Sequence, residues 1–391
     1  MTDQMTDQLP RKIFAALQQR QPEIEKFMQA LVEAESPSGD EEGSRAVVDL
    51  LAQAASQLEC VTKIDRASVP GFGQHLVIRA FQEQSDAGQV LLVGHTDTVH
   101  SRGSLSERPW RRESGRIYGP GIFDMKANCV LAIEVLRVLS ELKATPDFAV
   151  TVVLTCDEEV GSLSGWPLLE QIASAQHTRC AFVMEPPASG GRVKTSRKGT
   201  GMFAIKVQGK AAHAGLEPEK GASAILELAR QTEQLHALNL SGSGITLNVG
   251  VVHGGTRSNV VAAEAEGEID VRFSTEAESV EIERILSNLK PVDKRTKVFV
   301  SGGINRPPLE RTAAVVELFE KGRALAAELD FELGEAQVGG ASDGNFLAAM
   351  GIPVLDGLGI SGDGAHAVHE HIEAEDIARR GALIGGLLLS V

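Results

Sequence analysis

Val90-Leu91-Leu92-Val93-Gly94-His95-Thr96-Asp97 is a continuous apolar run that ends on an imidazole and a carboxylate. Apolar residues at successive positions leave no solvent face, so the run is expected as a strand buried on both sides, as in parallel sheets covered by helices. The same grammar recurs along the chain. Phe148 to Leu154 runs into Thr155-Cys156-Asp157-Glu158-Glu159, Ala181 to Met184 runs into Glu185-Pro186-Pro187, and Ile352 to Leu355 leads through glycine-rich chain to His366. Open α/β sheets build their sites at the carboxyl ends of parallel strands.

Working outward, residues 11–34 and 41–58 carry helix-period apolar positions, and Met125 to Leu142 reads as an amphipathic helix directly after Asp124. Strand and helix alternate up to Glu185, which predicts a mixed, mostly parallel sheet with helices on both faces. The texture changes after about residue 195. Met202 to Val207 alternates, a helix is expected over roughly Gly221–Leu238, and strands are expected at Ile245–Val252 and Ala263–Phe273. A further helix near Ser279–Leu289 and a strand at Lys297–Val300 complete the order β-α-β-β-α-β of a ferredoxin-like α+β domain. The expected organisation is a discontinuous outer domain, residues 1–197 and 308–391, with residues 198–307 inserted.

Composition excludes several classes. A chain of 391 residues with 42% hydrophobic content can bury a full core and is too long for one typical domain. Thirty-eight basic against 53 acidic residues give a net charge of −15, which argues against nucleic acid and against a membrane surface as partners, leaving a small-molecule or peptide substrate. The opening residues lack the apolar core of a secretory leader and no apolar run reaches spanning length, so a cytoplasmic location is expected. Cys60, Cys129, Cys156 and Cys180 form no C-x-x-C pair and are expected as reduced thiols without a catalytic role.

His95, Asp124, Glu185, His366 and one of the adjacent pair Glu158 and Glu159 supply two imidazoles and three carboxylates, a set that suits two borderline divalent ions such as Zn²⁺, with one carboxylate shared. A further carboxylate must then take a proton from water, and the neighbours Glu158 and Glu159 can divide ligation and base between them. If both sit at a strand end, they point different ways. Asp97 falls on the same side of an extended segment as His95 and is placed to hold the other ring nitrogen, or else to cap a turn.

Gly94-His95-Thr96-Asp97-Thr98-Val99, Gly119-Pro120-Gly121-Ile122-Phe123-Asp124-Met125-Lys126, Asp157-Glu158-Glu159-Val160-Gly161-Ser162 and Met184-Glu185-Pro186 resemble the M20 family of metallopeptidases, within it the glutamate carboxypeptidase group. The resemblance spans nearly the whole chain. It implies a zinc-exopeptidase catalytic domain with two Zn²⁺ per chain, Co²⁺ or Mn²⁺ being the alternatives. His95 and Glu185 would hold one ion, Glu159 and His366 the other, Asp124 would bridge, and Glu158 would be the general base. Of His366, His369 and His371, the family spacing of a ligand histidine four residues before a glutamate selects His366, ahead of Glu370.

The inserted domain would be the family's lid or dimerisation domain, making a homodimer. Gly209-Lys210-Ala211-Ala212-His213-Ala214-Gly215, Arg257-Ser258-Asn259, Val271-Arg272 and Arg306 resemble lid residues. By that likeness His213 stabilises the oxyanion in the partner subunit's site, and Asn259, Arg272 and Arg306 bind substrate carboxylate and carbonyl. Ordinary turns would also account for His213 and Asn259, and surface ion pairs for Arg272 and Arg306. The implied activity is a carboxypeptidase releasing a C-terminal residue, glutamate favoured, from a small peptide or N-acyl amino acid. The alternatives are an acetylornithine or succinyl-diaminopimelate type deacylase, a dipeptidase, or a lapsed metal- or peptide-binding protein.

Overall fold

The structure, a computed structural model, describes residues 9–81, 87–240 and 244–391. The opening eight residues, read above for a leader, lie outside the described residues. Two compact units form: Met1–Thr195 with Arg311–Gln337 and Ser342–Val391, and Ser196–Glu310 with Val338–Ala341.

The first unit is built on a six-stranded sheet in the order Val61–Val69, Gly73–Ala80, Ala149–Thr155, Gln89–His95, Thr178–Val183, Val354–Leu355. The last four strands run parallel. The first two form an antiparallel hairpin that joins Ala149–Thr155 antiparallel, so the sheet is mixed as its sequence predicts. Every residue of Gln89–His95 and of Ala149–Thr155 is buried, as continuous Val and Leu runs require when both faces are covered.

Helix Ala127–Glu141 departs from the expected amphipathic form. Twelve of its fifteen residues are buried, because helices Leu9–Gln19, Gln21–Glu33, Glu41–Ala55 and Asp376–Ser390 pack against it. Its one buried acid, Glu134, is paired with Arg20 at 2.9 Å and with Arg137 at 3.1 Å. Nor does it begin at Met125, since Asp124 and Met125 lie in an irregular turn, Ile122–Lys126, with non-helical backbone angles. Gly381 lets helix Asp376–Ser390 come close to Leu9–Gln19, for a Cβ there would lie 2.5 Å from Leu17 Cδ1.

A second, small sheet of this unit matters more for function. It runs Gly362–Asp363, His371–Glu373, Arg116–Tyr118, Arg111–Glu113, all antiparallel. His366 thus sits in the connection of a short hairpin, and the Gly119–Asp124 loop leaves the neighbouring strand.

In the second unit the sheet order is Thr246–Gly254, Glu264–Phe273, Gly199–Gln208, Lys297–Arg306, entirely antiparallel. Helices Ala224–His236 and Glu276–Ser287 complete the ferredoxin-like order. Gly199–Gln208 alternates buried and exposed from Gly201 onward, and its inward residues Phe203, Ile205 and Val207 join Leu228, Leu235, Val271, Phe273 and Ile282 in a core of their own. The last strand runs six residues past the expected Lys297–Val300. Ser301-Gly302-Gly303 carries no strand pattern of its own, yet it stays in register with Met202–Ala204, and Gly302, at φ +106°, passes so close to Met202 O that a Cβ would lie 2.2 Å away. Among the described residues, no helix is long and apolar enough to cross a membrane.

Candidate metal centre

His95 is the last residue of its strand and is 1% exposed, and Glu185 lies two residues beyond Val183. Both therefore stand at carboxyl ends of parallel strands, where the apolar runs point. The other acids and His366 reach the same place by other routes. Glu158 and Glu159 are not strand-end residues but open a one-turn 3₁₀ helix, Glu158–Val160, so strand alternation does not divide their directions. Asp124 comes from the irregular turn and His366 from the hairpin connection, where it adopts the left-handed region at φ +62°. Side chains seldom hold that conformation unless the surroundings fix it, and such positions cluster at functional sites.

His95 Nε2 lies 3.2 Å from Asp124 Oδ1 and 3.4 Å from Glu185 Oε1. His366 Nε2 lies 3.4 Å from Asp124 Oδ2 and 3.1 Å from Glu159 Oε2. The two oxygens of Asp124 thus face different histidines, each with its own second acid. In each trio, His95 with Asp124 and Glu185 and Asp124 with Glu159 and His366, one donor atom per residue falls within 4.8 Å of the others.

Asp97 occupies a supporting place. The nearest partner of His95 Nδ1 is the main-chain carbonyl of Asp97 at 2.9 Å, while the Asp97 carboxylate is 3.4 Å away. That carboxylate accepts the Ser38 hydroxyl at 2.6 Å and the main-chain N–H groups of Glu158 and Glu159, each at 3.2 Å. The main-chain carbonyl of Asp97 thus meets the imidazole, while its carboxylate holds the main chain of the acid pair, including Glu158, which is 9% exposed. Sequence reading misses two further anchors of this turn. Asp157 accepts the Ser164 amide and hydroxyl, and Asp343 accepts the hydroxyls of Thr155 and Ser162 on either side of the turn. The polar run Ser342-Asp343 ahead of a buried helix was the available signal for Asp343.

Electrostatics follow from crowding three acids around two imidazoles. The His366 pKa is pushed up to about 10 by its hydrogen bonds to Asp124 and Glu159. Burial opposes protonation of His95, but hydrogen bonds to Asp124, Asp97 and Glu185 prevail and raise its pKa well above the ordinary value. Burial would raise Asp124 too, yet the His366 and His95 hydrogen bonds hold it below the usual carboxylate range. Glu159 is raised, chiefly by burial. Its Oε1 is buried with no hydrogen-bond partner, a costly state for a carboxylate oxygen and one that a cation would relieve. Mixed imidazole and carboxylate donors fit a zinc-type divalent ion.

A third trio, His75, Cys156 and Asp157, is differently satisfied: His75 Nδ1 accepts the Cys156 amide and Nε2 meets the Ser164 hydroxyl at 3.0 Å, so both ring nitrogens are engaged. All four cysteines are free thiols, and burial pushes Cys129 and Cys180 up to about 12, which keeps them unreactive.

His213, Asn259, Arg272 and Arg306 belong to the second unit. His213 is exposed, and its Nδ1 accepts the N–H groups of Gly215 and Leu216 at 3.2 Å, which leaves the ring proton on Nε2. Asn259 is exposed in a loop. Arg272 forms a two-pronged ion pair with Asp270, both contacts 2.9 Å, and Arg306 is buried at the end of its strand.

A family model described as peptidase family M20/M25/M40 matches residues 91–390. Over 386 residues the chain is 27% identical to carboxypeptidase G2 of Pseudomonas sp. (strain RS-16), covering 97% of this chain and 92% of that protein. It is 28% identical over 322 residues to a succinyl-diaminopimelate desuccinylase of Acidovorax ebreus (strain TPSY), covering 76% and 79%. The fold matches the crystal structure of the aminopeptidase PepT from Bacillus cereus ATCC 10987 at a TM-score of 0.77, with 22% identity and coverage of 94% and 98%. The chain belongs to the M20/M25/M40 peptidase family and is a metal-dependent hydrolase of peptide or amide bonds.

Proposed function

We propose that the protein is a two-ion exopeptidase, zinc-dependent, that hydrolyses the amide bond to a C-terminal amino acid, glutamate favoured. The observation that carries the reading is the split of Asp124, whose two oxygens face His95 with Glu185 on one side and His366 with Glu159 on the other. In this assignment His95 and Glu185 hold one ion, Glu159 and His366 hold the second, and Asp124 bridges. Bound there, the ions would polarise the scissile carbonyl and lower the pKa of water toward neutrality.

Glu158 accepts the proton of the attacking water and returns it to the leaving amine, as general base and then acid. Its backbone is held by the Asp97 carboxylate, which keeps the carboxyl in place between the two transfers. His213, with its proton on Nε2, donates to the oxyanion from the neighbouring subunit of a homodimer formed through the second unit. Asn259, Arg272 and Arg306 bind the substrate's carbonyl and α-carboxylate, for which a guanidinium gives planar, paired hydrogen bonds. For Arg272 this requires exchange of the Asp270 partner. The carboxypeptidase reading is supported by the similarity to carboxypeptidase G2 along nearly the whole chain, and the preference for a terminal glutamate rests on the resemblance of this chain's motifs to the glutamate carboxypeptidase group.

The desuccinylase similarity favours a second reading, removal of an N-acyl group from an amino acid. A panel of N-acylglutamates, acetylornithine, N-succinyl-diaminopimelate and dipeptides, assayed with Zn²⁺ or Co²⁺, separates the two. Glu158→Ala is expected to abolish turnover with metal content unchanged at about two ions per chain. Retained hydrolysis in that variant refutes the base assignment.

A further inference from the structure

We propose that Glu370 is a positioning residue that sets the ion-bridging carboxylate of Asp124, with His100 and Arg108 completing its hydrogen-bond set; this rests on the two-ion reading above. Glu370 is 3% exposed, and four donors converge on its carboxylate. Oε2 accepts the Gly121 amide at 2.8 Å and the Nε2–H of His100, while Oε1 accepts the amides of Phe123 at 2.9 Å and Asp124 at 3.0 Å. A carboxylate has about four acceptor directions, and here all are used.

Three of the donors are main-chain amides of the short loop that ends at Asp124. Those amides have no helical or strand partners, since Gly121 is left-handed at φ +70° and Asp124 sits at φ −117°, ψ 90°. The conformation of that loop therefore depends on an acceptor brought from elsewhere, and Glu370 brings it from about 250 positions along the chain. The same residue follows His366 by four positions and precedes strand His371–Glu373, which pairs with Arg116–Tyr118. One carboxylate thus ties the loop of the bridging ligand to the loop of His366.

His100 is oriented in turn. Arg108 Nη1 lies 3.3 Å from His100 Nδ1 and can only donate, so Nδ1 accepts and the ring proton on Nε2 goes to Glu370. Neither Glu370 nor His100 is a member of either cation trio, so each acts through Asp124. Asp124 must present one oxygen to each ion, and a small rotation of its loop would aim both oxygens away.

Glu370→Gln keeps volume and shape but adds two N–H donors. Whichever way the amide turns, a donor meets a donor: Gly121 and His100 on one side, or Phe123 and Asp124 on the other. The test titrates Zn²⁺ into chelator-stripped full-length protein, wild type and E370Q, E370A, H100A and H100Q, alongside thermal melting and kcat and KM for an N-acylglutamate. E370Q and E370A are expected to bind Zn²⁺ some 10–100-fold more weakly, and at saturating Zn²⁺ to lose at least about tenfold in kcat with KM within about threefold. H100A should fall between these and wild type. H100Q, whose side-chain amide can still donate to Glu370, should recover most of that loss.

E370Q with Zn²⁺ affinity and kcat like wild type overturns the proposal. So does a variant set in which only the melting temperature falls, the mark of a merely structural role. If E370A does not fold, E370Q and the His100 pair decide. Uptake of a single ion by wild type defeats the two-ion reading instead, and the positioning role is then judged on whether E370Q weakens that one ion.

Discussion

Metal uptake by the ion-free protein is expected to release protons, one for each histidine ligand. His366, raised to about 10 by Asp124 and Glu159, is protonated at pH 7 in the ion-free protein. His95 is raised in the same direction by Asp124, Asp97 and Glu185 against the effect of burial. An imidazole ligates only in its neutral form, so loading both sites at pH 7 displaces about two protons. Between the ordinary value of 6.5 and about 10, the affinity of the His366 site should rise roughly tenfold per pH unit. The ion-free fold responds with the opposite sign. A pKa raised on folding contributes stability that is complete below 6.5 and is lost as pH climbs through about 10, so the His366 contribution shrinks across the window in which metal binding tightens. Calorimetric titration of Zn²⁺ at pH 7 in three buffers of different ionisation enthalpy reads the proton count as a slope. A slope near zero, together with a pH-independent affinity, would refute the claim that two protonated imidazoles are displaced on ligation.

Three further outcomes follow from particular contacts. Asp97→Ala removes the acceptor of Ser38 and of the Glu158 and Glu159 amides, so kcat/KM should fall about 10–100-fold; wild-type kinetics would remove Asp97 from the support of the acid pair. Gly381→Val forces a side chain into the space of Leu17 and should cost about 1–3 kcal/mol, read as a lower denaturation midpoint with activity of the folded protein retained. Chelation should abolish hydrolysis and lower the melting temperature reversibly, since an ion held at a thousand times its Kd adds about 4 kcal/mol to the folded state. A melting curve indifferent to chelator would contradict the metal site.

The strands at residues 89–95, 149–155 and, from Cys180 onward, 178–183 are legible in the sequence because each is covered on both faces, which favours a largely apolar run. The second unit is legible for the complementary reason: one face is covered, so burial alternates. The hairpin Val61–Ala80 escapes sequence reading, for its first strand is only partly buried and shows no clean alternation around the Pro70-Gly71 turn. Helix Ala127–Glu141 misleads in the other direction, since Glu134, Arg137 and Glu141 suggest a wet face while neighbouring helices enclose nearly all of it.

The six side chains of the proposed metal centre and its base could be named from residue types, motif spacing and the family resemblance, because ligand chemistry restricts the choice to histidine and carboxylate at ends of apolar runs and in glycine-rich loops. What sequence could not supply is how they are held. The turn carrying Glu158 and Glu159 is fixed by Asp97 and Asp343, and the loop of Asp124 by Glu370. Most of those bonds end on main-chain amides or hydroxyls far away in sequence, and such groups carry no residue-specific signal. Apolar patterning therefore decides where the strands lie, and only the folded chain decides which acid binds, which one supports, and which oxygen of Asp124 faces which histidine.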